Sequence, residues 1–69
     1  MSIVKVIEVI ATSTKSFDDA TQNAVKEASK SVKNIISVYV KDMSGKVENN
    51  SIVSYGVTAK ISFKINKEG

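Results

Sequence analysis

At 69 residues with 10 lysines, 7 acidic residues and a net charge of +3, the chain has room for one domain, expected over residues 1–69, and a core of marginal size. It contains no Cys and no His, which excludes disulfides, the usual structural zinc sites, a Ser-His-Asp triad and a Cys nucleophile. Its lysines are spread from Lys5 to Lys67 among acidic residues and it has no Trp, so the charge reads as a solubilising surface and not as a nucleic-acid interface.

The first element, Ile3 to Ile10 (IVKVIEVI), is β-branched and mostly apolar, a strand broken only by Lys5 and Glu8. Those two charges and the missing basic leader argue against a secretory signal. No stretch reaches transmembrane length, so a cytoplasmic protein without a membrane partner is expected. Thr12 to Ser16 read as a loop into a helix, with Ser16 as N-cap and Asp18 and Asp19 in the first turn, where carboxylates suit the helix dipole. Phe17, Ala20, Ala24, Val25, Ala28 and Val32 then form one helical stripe, with Asn34 as the stop. The three alanines allow the helix axis to approach a sheet closely.

Beyond Asn34, IISVYVKDM reads as a second strand, with Ile36, Val38 and Val40 on one face and Ile35, Ser37, Tyr39 and Lys41 on the other. Ser44 and Gly45 signal a bend, Lys46 to Glu48 a continuation, and Asn49, Asn50 and Ser51 a reversal. The last element is apolar at every second residue from Val53 through Tyr55, Val57, Ala59, Ile61 and Phe63 to Ile65. Ser54, Gly56, Thr58, Lys60, Ser62 and Lys64 alternate with them. A period of two held that long gives a strand of roughly 45 Å with one buried and one wet face. The fold class is therefore α+β, order β-α-β-β: a three-stranded antiparallel sheet wrapped around one helix, the long last strand in the middle. A small chain cannot cover such a ribbon alone. With disulfides and zinc excluded, self-association is the expected source of further stability.

Chemistry is sparse. The carboxylates Glu8, Asp18, Asp19, Asp42 and Glu48 are not distinguished by spacing, and no glycine-rich phosphate loop exists, so no enzyme and no catalytic residue are expected. Gly45 reads as a turn glycine. Gly56, inside a strand, serves either a bulge or close strand packing, or else the close approach of a ligand, and the residue alone favours the first pair of readings. Asp42, Ser44, Glu48, Asn49 and Asn50 are rich in oxygen but lack EF-hand spacing, so no metal ligands are assigned.

Several details coincide: KVIEVIATS before a Ser-Phe helix start, the four-residue register of Ala20, Ala24 and Ala28, then NIISVYV and the ending SYGVTAKISF. Together they resemble the dodecin family, over nearly the whole chain from about Val4 to Ile65. The resemblance implies twelve copies assembled into a hollow sphere, a homododecamer of cubic symmetry, that stores or scavenges flavin (riboflavin, FMN or FAD) in pairs between subunits and is not an enzyme. Some members also bind coenzyme A.

The departures lie at the ligand pocket. The family's flavin-stacking Trp falls at Ser37, and the Gln that reads the flavin's polar edge falls at Gly56, after Tyr55. Lys64 matches a position that is often basic in the family, which suits a phosphate contact and equally a solvated strand lysine. Losing a stacked indole and a buried hydrogen bond lowers flavin affinity by about two orders of magnitude. Tyr39 and Tyr55 are the available replacement aromatics, but the alternation puts Tyr55 on the helix side, in the core. The resemblance thus implies a storage protein with cofactor-binding residues Ser37, Gly56 and Lys64. The alternative is a shell that binds a divalent cation such as calcium, or another small molecule, through symmetry-related sites. An interaction module with no small ligand is a third class.

Overall fold

The computed structural model describes residues 2–66: a strand β1 (Ser2–Ser13), a helix α1 (Phe17–Ala28), a strand β2 (Ile35–Glu48) and a strand β3 (Ser51–Asn66). The sheet order is β1-β3-β2, both pairings antiparallel, so the long strand lies in the middle as its length demands. β1 pairs with β3 without interruption from Ile3 opposite Ile65 to Ser13 opposite Tyr55. Thr12 and Ser13, expected in a loop, thus belong to the strand, because the ladder with Gly56 and Tyr55 runs that far.

Ser16 is the helix N-cap: extended in backbone, it accepts the Asp19 N–H at 2.9 Å through its hydroxyl. The helix ends at Ala28, with Ser29 as C-cap, and not near Val32 as the apolar stripe suggests. The chain tightens there through Lys30 N–H to the Glu27 carbonyl and Ser31 N–H to the Ala28 carbonyl. Val32 still packs against the core, but from a turn. Asn34 is not the helix stop. It sits five residues beyond the cap in the left-handed region (φ 64°), and its carbonyl accepts the Lys64 N–H at 3.0 Å, which starts the β2 ladder on β3.

α1 rests mainly on β1 and β3. Ala24 and Ala28 pack with Ala59 and Ile61, with Ile7, Val9, Ala11, Val32 and Ile35 around them, and Ala20 and Val57 are also buried. Small side chains on both surfaces bring helix and sheet close together, leaving Val57 and Ile61 as the largest fully buried side chains among the described residues.

The register of β2 against β3 shifts between Ile35 and Ser37, between Val40 and Asp42, and between Lys46 and Val47. Each shift changes which face the following residues use. Ile35 therefore lies opposite Phe63 and packs on the core, while Ile36 is exposed, the reverse of the simple alternation. Ser44 and Gly45 do not bend the chain: both are paired within β2, opposite Gly56 and Tyr55. At Gly45 a Cβ would lie 3.1 Å from Ile52 Cγ2, so the exposed Ile52 side chain would have to give by a few tenths of an ångström. Asn49 and Asn50 alone make the reversal, both left-handed, and Ser51 is already in β3 opposite Glu48. This is the two-residue hairpin geometry that matches sheet twist. Because β1 ends opposite Tyr55, the hairpin from Lys46 to Ser54 projects as a two-stranded arm, and the molecule is 58 Å long.

Candidate functional site

Residues opposite one another in a ladder share a face, so the register maps the side of the sheet away from α1. Its middle line is Gly56, Thr58, Lys60, Ser62 and Lys64 of β3. Flanking it, β2 supplies Ser44 opposite Gly56, Asp42 opposite Thr58, Tyr39 opposite Lys60 and Ser37 opposite Ser62. From β1 come Thr12, Ile10, Glu8, Val6 and Val4, opposite Gly56, Thr58, Lys60, Ser62 and Lys64. No helix covers this surface: Val4, Val6, Ile10 and Tyr39 are all exposed on it.

All three candidate ligand residues lie here. Ser37 is exposed, and Lys64 is one step along the face from Ser62, the partner of Ser37, which puts the two at neighbouring positions. Gly56 is six residues from Ser62 along β3, about 20 Å in an extended strand. One copy of the chain therefore does not bring Gly56 together with Ser37 and Lys64. Of the two structural readings of Gly56, a bulge or close strand packing, the bulge is ruled out, because the register is unbroken there on both sides. A Cβ at Gly56 would meet the carbonyl and hydroxyl oxygens of Ser44 at 3.6 Å, ordinary contact, so the subunit has room for a Cβ there.

Three ion pairs engage six of the charged side chains. Lys41 reaches Glu8 across the central strand at 3.7 Å, Lys46 pairs with Glu48 at 3.6 Å, and Lys30 with Glu27 at 3.0 Å. All six side chains are largely solvated, so each pair contributes less than about 1 kcal/mol. Asp19 accepts the Ser13 hydroxyl at 2.6 Å. Asp42, beside Ser44 and Thr58, has no ion-pair partner among the described residues. Among these residues no three acidic side chains gather as a metal would require. The oxygen-rich stretch from Asp42 to Asn50 does not converge either: it runs along an extended arm, Glu48 near one end and Asp42 roughly 20 Å away.

Of the aromatics, Tyr55 is half-buried against Phe17, edge to face with centroids 5.0 Å apart, which fixes it in the helix-side packing. Tyr39 is on the open face with 65% of its surface exposed, directly opposite Lys60. The alternation in NIISVYV already places Tyr39 beside Ser37. Its pairing with Lys60 is set by the bulges in β2, which no residue type in the sequence marks.

The comparisons with known proteins agree with this architecture. A family model described as Dodecin matches residues 3–66. The calcium dodecin of Mycobacterium tuberculosis is 34% identical over 65 residues, which cover 94% of this chain and 92% of that protein. The crystal structure of the calcium-chelating immunodominant antigen calcium dodecin from Mycobacterium tuberculosis, with a novel calcium-binding site, is 30% identical and superposes with a TM-score of 0.78 over 97% of this chain and 96% of the other. The dodecin of Streptomyces coelicolor is 27% identical, TM-score 0.87, over 97% and 96%. The dodecin of Streptomyces davaonensis, 24% identical with a TM-score of 0.88 over 96% and 97%, shares the fold. With sequence match and strand order in agreement across the described residues, the chain belongs to the dodecin family.

Proposed function

We propose that this protein is a non-catalytic, cytoplasmic shell, a homododecamer, that sequesters a small ligand on the sheet face opposite α1, at sites completed between subunits around Ser37, Gly56 and Lys64. The observation that supports this reading is the placement of the three residues. They share one uncovered face, yet Gly56 lies about 20 Å along it from the Ser37–Ser62 pair, so a pocket using all of them draws on neighbouring copies. Flavin is the first ligand to test. The protein quenches the fluorescence of added riboflavin or FMN in this reading, weakly because Ser37 offers no stacking surface; absence of quenching at high protein concentration rejects it. The double variant Ser37→Trp, Gly56→Gln binds flavin tighter by about tenfold or more. Ser37 is exposed and Gly56 has room for a Cβ, so both substitutions suit the subunit.

A second reading, calcium, is favoured by one observation: the 34% identical relative is a calcium dodecin. Asp42, the carboxylate of this face without an ion-pair partner among the described residues, is the ligand it points to, with copies supplied by symmetry. Calcium then raises the Tm and a chelator lowers it. If both leave the Tm unchanged while flavin is quenched, the cation reading fails.

A further inference from the structure

We propose that the groove between α1 and β1 is a second binding site, for a free fatty-acid anion: the alkyl tail lies on the groove's aliphatic floor and the carboxylate meets the Lys26 ammonium on its rim. The site is on the helix side of β1, apart from the face that carries Ser37, Gly56 and Lys64, and it stands whether that face takes flavin or calcium.

The short side chains that bring α1 down onto the sheet also leave space beside it. Ala24 and Ala28 of the helix and Ala11 of β1 do not fill the gap between the two elements, and a groove of about 600 Å³ remains, within the usual range for small-molecule sites. Ile7 and Val9, both half-buried, complete the floor. From Ile7 to Thr12 the strand rises about 17 Å, which suits a linear chain better than a ring. At the Thr12 end the Asn23 amide donates to the Thr12 carbonyl at 3.2 Å and bridges helix and strand.

The chemistry of the lining selects the ligand. No aromatic side chain is among the described residues that line the groove, so nothing there stacks on a planar molecule. No buried side-chain polar atom among the described residues lacks a hydrogen-bond partner, so the floor requires no polar group from a ligand. A flexible apolar tail is what such a floor buries favourably. The charged groups are confined to the helix rim, where Lys30 is paired with Glu27 at 3.0 Å and Lys26 has no ion-pair partner among the described residues. The rim therefore carries one uncompensated positive charge, which attracts a carboxylate and repels a cationic head. A neutral hydrocarbon uses only the floor and a short carboxylate only the rim; a fatty-acid anion uses both.

The test is isothermal titration calorimetry of the assembled protein with octanoate, decanoate and dodecanoate at neutral pH and low salt, each below its micelle-forming concentration, with light scattering to follow the particle. Each added pair of methylenes should tighten binding about tenfold, and dodecyltrimethylammonium should bind more weakly than dodecanoate. Lys26→Gln should weaken decanoate about threefold to fivefold and Glu27→Gln should strengthen it by a similar factor, while decanol binds both variants as it binds the unsubstituted protein. Both positions are exposed, so these variants change charge without touching the core. Ala11→Leu, which fills the floor from β1, should weaken decanoate and decanol alike, about tenfold or more. Absence of dodecanoate binding to the intact particle overturns the proposal and leaves the groove to a neighbouring copy. Binding that only dissociates the particle overturns it as well, and so does binding that Lys26→Gln and Ala11→Leu both leave unchanged, since the amphiphile then sits elsewhere. The flavin and calcium readings are tested separately and survive any of these results.

Discussion

Ser13 is the one buried polar residue among the described residues, and its hydroxyl is used twice: it donates to Asp19 Oδ2 at 2.6 Å and accepts the Lys15 N–H at 2.9 Å. The end of β1 is thereby tied to the first turn of α1, and Asn23 adds a bond from its side-chain amide to the Thr12 carbonyl. Replacing Ser13 by Ala leaves the Asp19 carboxylate and a backbone N–H without this partner, so the variant should be less stable by about 1.5–3 kcal/mol in chemical denaturation. Ser16→Ala should cost about 1 kcal/mol, the usual loss at an N-cap. The second of these sites was legible, because a Ser before two acidic residues and an apolar stripe is a local signal. Ser13 was not, since its role depends on a carboxylate six positions away that the turn folds back onto it. For the ligand face the same contrast holds. Simple alternation puts Gly56 and Lys64 on one face of β3, eight residues apart, but that Ser37 stands at the Lys64 end of that face appears only when the strands are paired.

At the scale of elements, the strands read clearly and their ends did not. Alternation from Val53 to Ile65 identified β3 and its inner face, and the twin asparagines marked the hairpin. The three register shifts in β2 carry no such mark, because a bulge is chosen by the fit of two strands and not by the type of the extra residue. The helix stripe extended past the helix for a related reason: Val32 satisfies the apolar pattern from a turn. Asn49 and Asn50 show what a strong local signal determines. Both adopt positive φ, 51° and 64°, which costs an ordinary L-residue about 1–2 kcal/mol and asparagine less. Asn50→Gly should therefore raise the Tm by relieving the backbone, whereas Asn49→Val with Asn50→Val should lower it by several degrees. Thermal unfolding of the two variants side by side decides the point; equal Tm values would mean that the reversal does not constrain the arm.

For the whole molecule, the disproportion lies between a thin core and a broad uncovered apolar surface. Among the described residues the buried core consists of four alanines, Val57 and Ile61, while eleven large apolar side chains are exposed. Three of them, Val47, Ile52 and Val53, are on the hairpin arm beyond the reach of β1. A two-stranded ribbon is at best marginally stable in water, so an arm with this composition needs a partner surface. In the proposed shell each arm would lie on a neighbouring copy, and the subunit's deficit in core size would be the reason for assembly. The double substitution Val47→Lys with Ile52→Lys separates this from a free arm. On an arm left in solvent, surface changes of this kind shift stability by about 0.5 kcal/mol or less and leave the particle intact. On an arm buried between copies, two unpaired ammonium groups enter an apolar contact. The particle should then dissociate in light scattering, with a Tm that falls and becomes dependent on protein concentration. An intact dodecamer with an unchanged Tm would place the arm outside the interface and require the shell to be held through other surfaces, of which the exposed Val4, Val6 and Ile10 of β1 are the next to substitute.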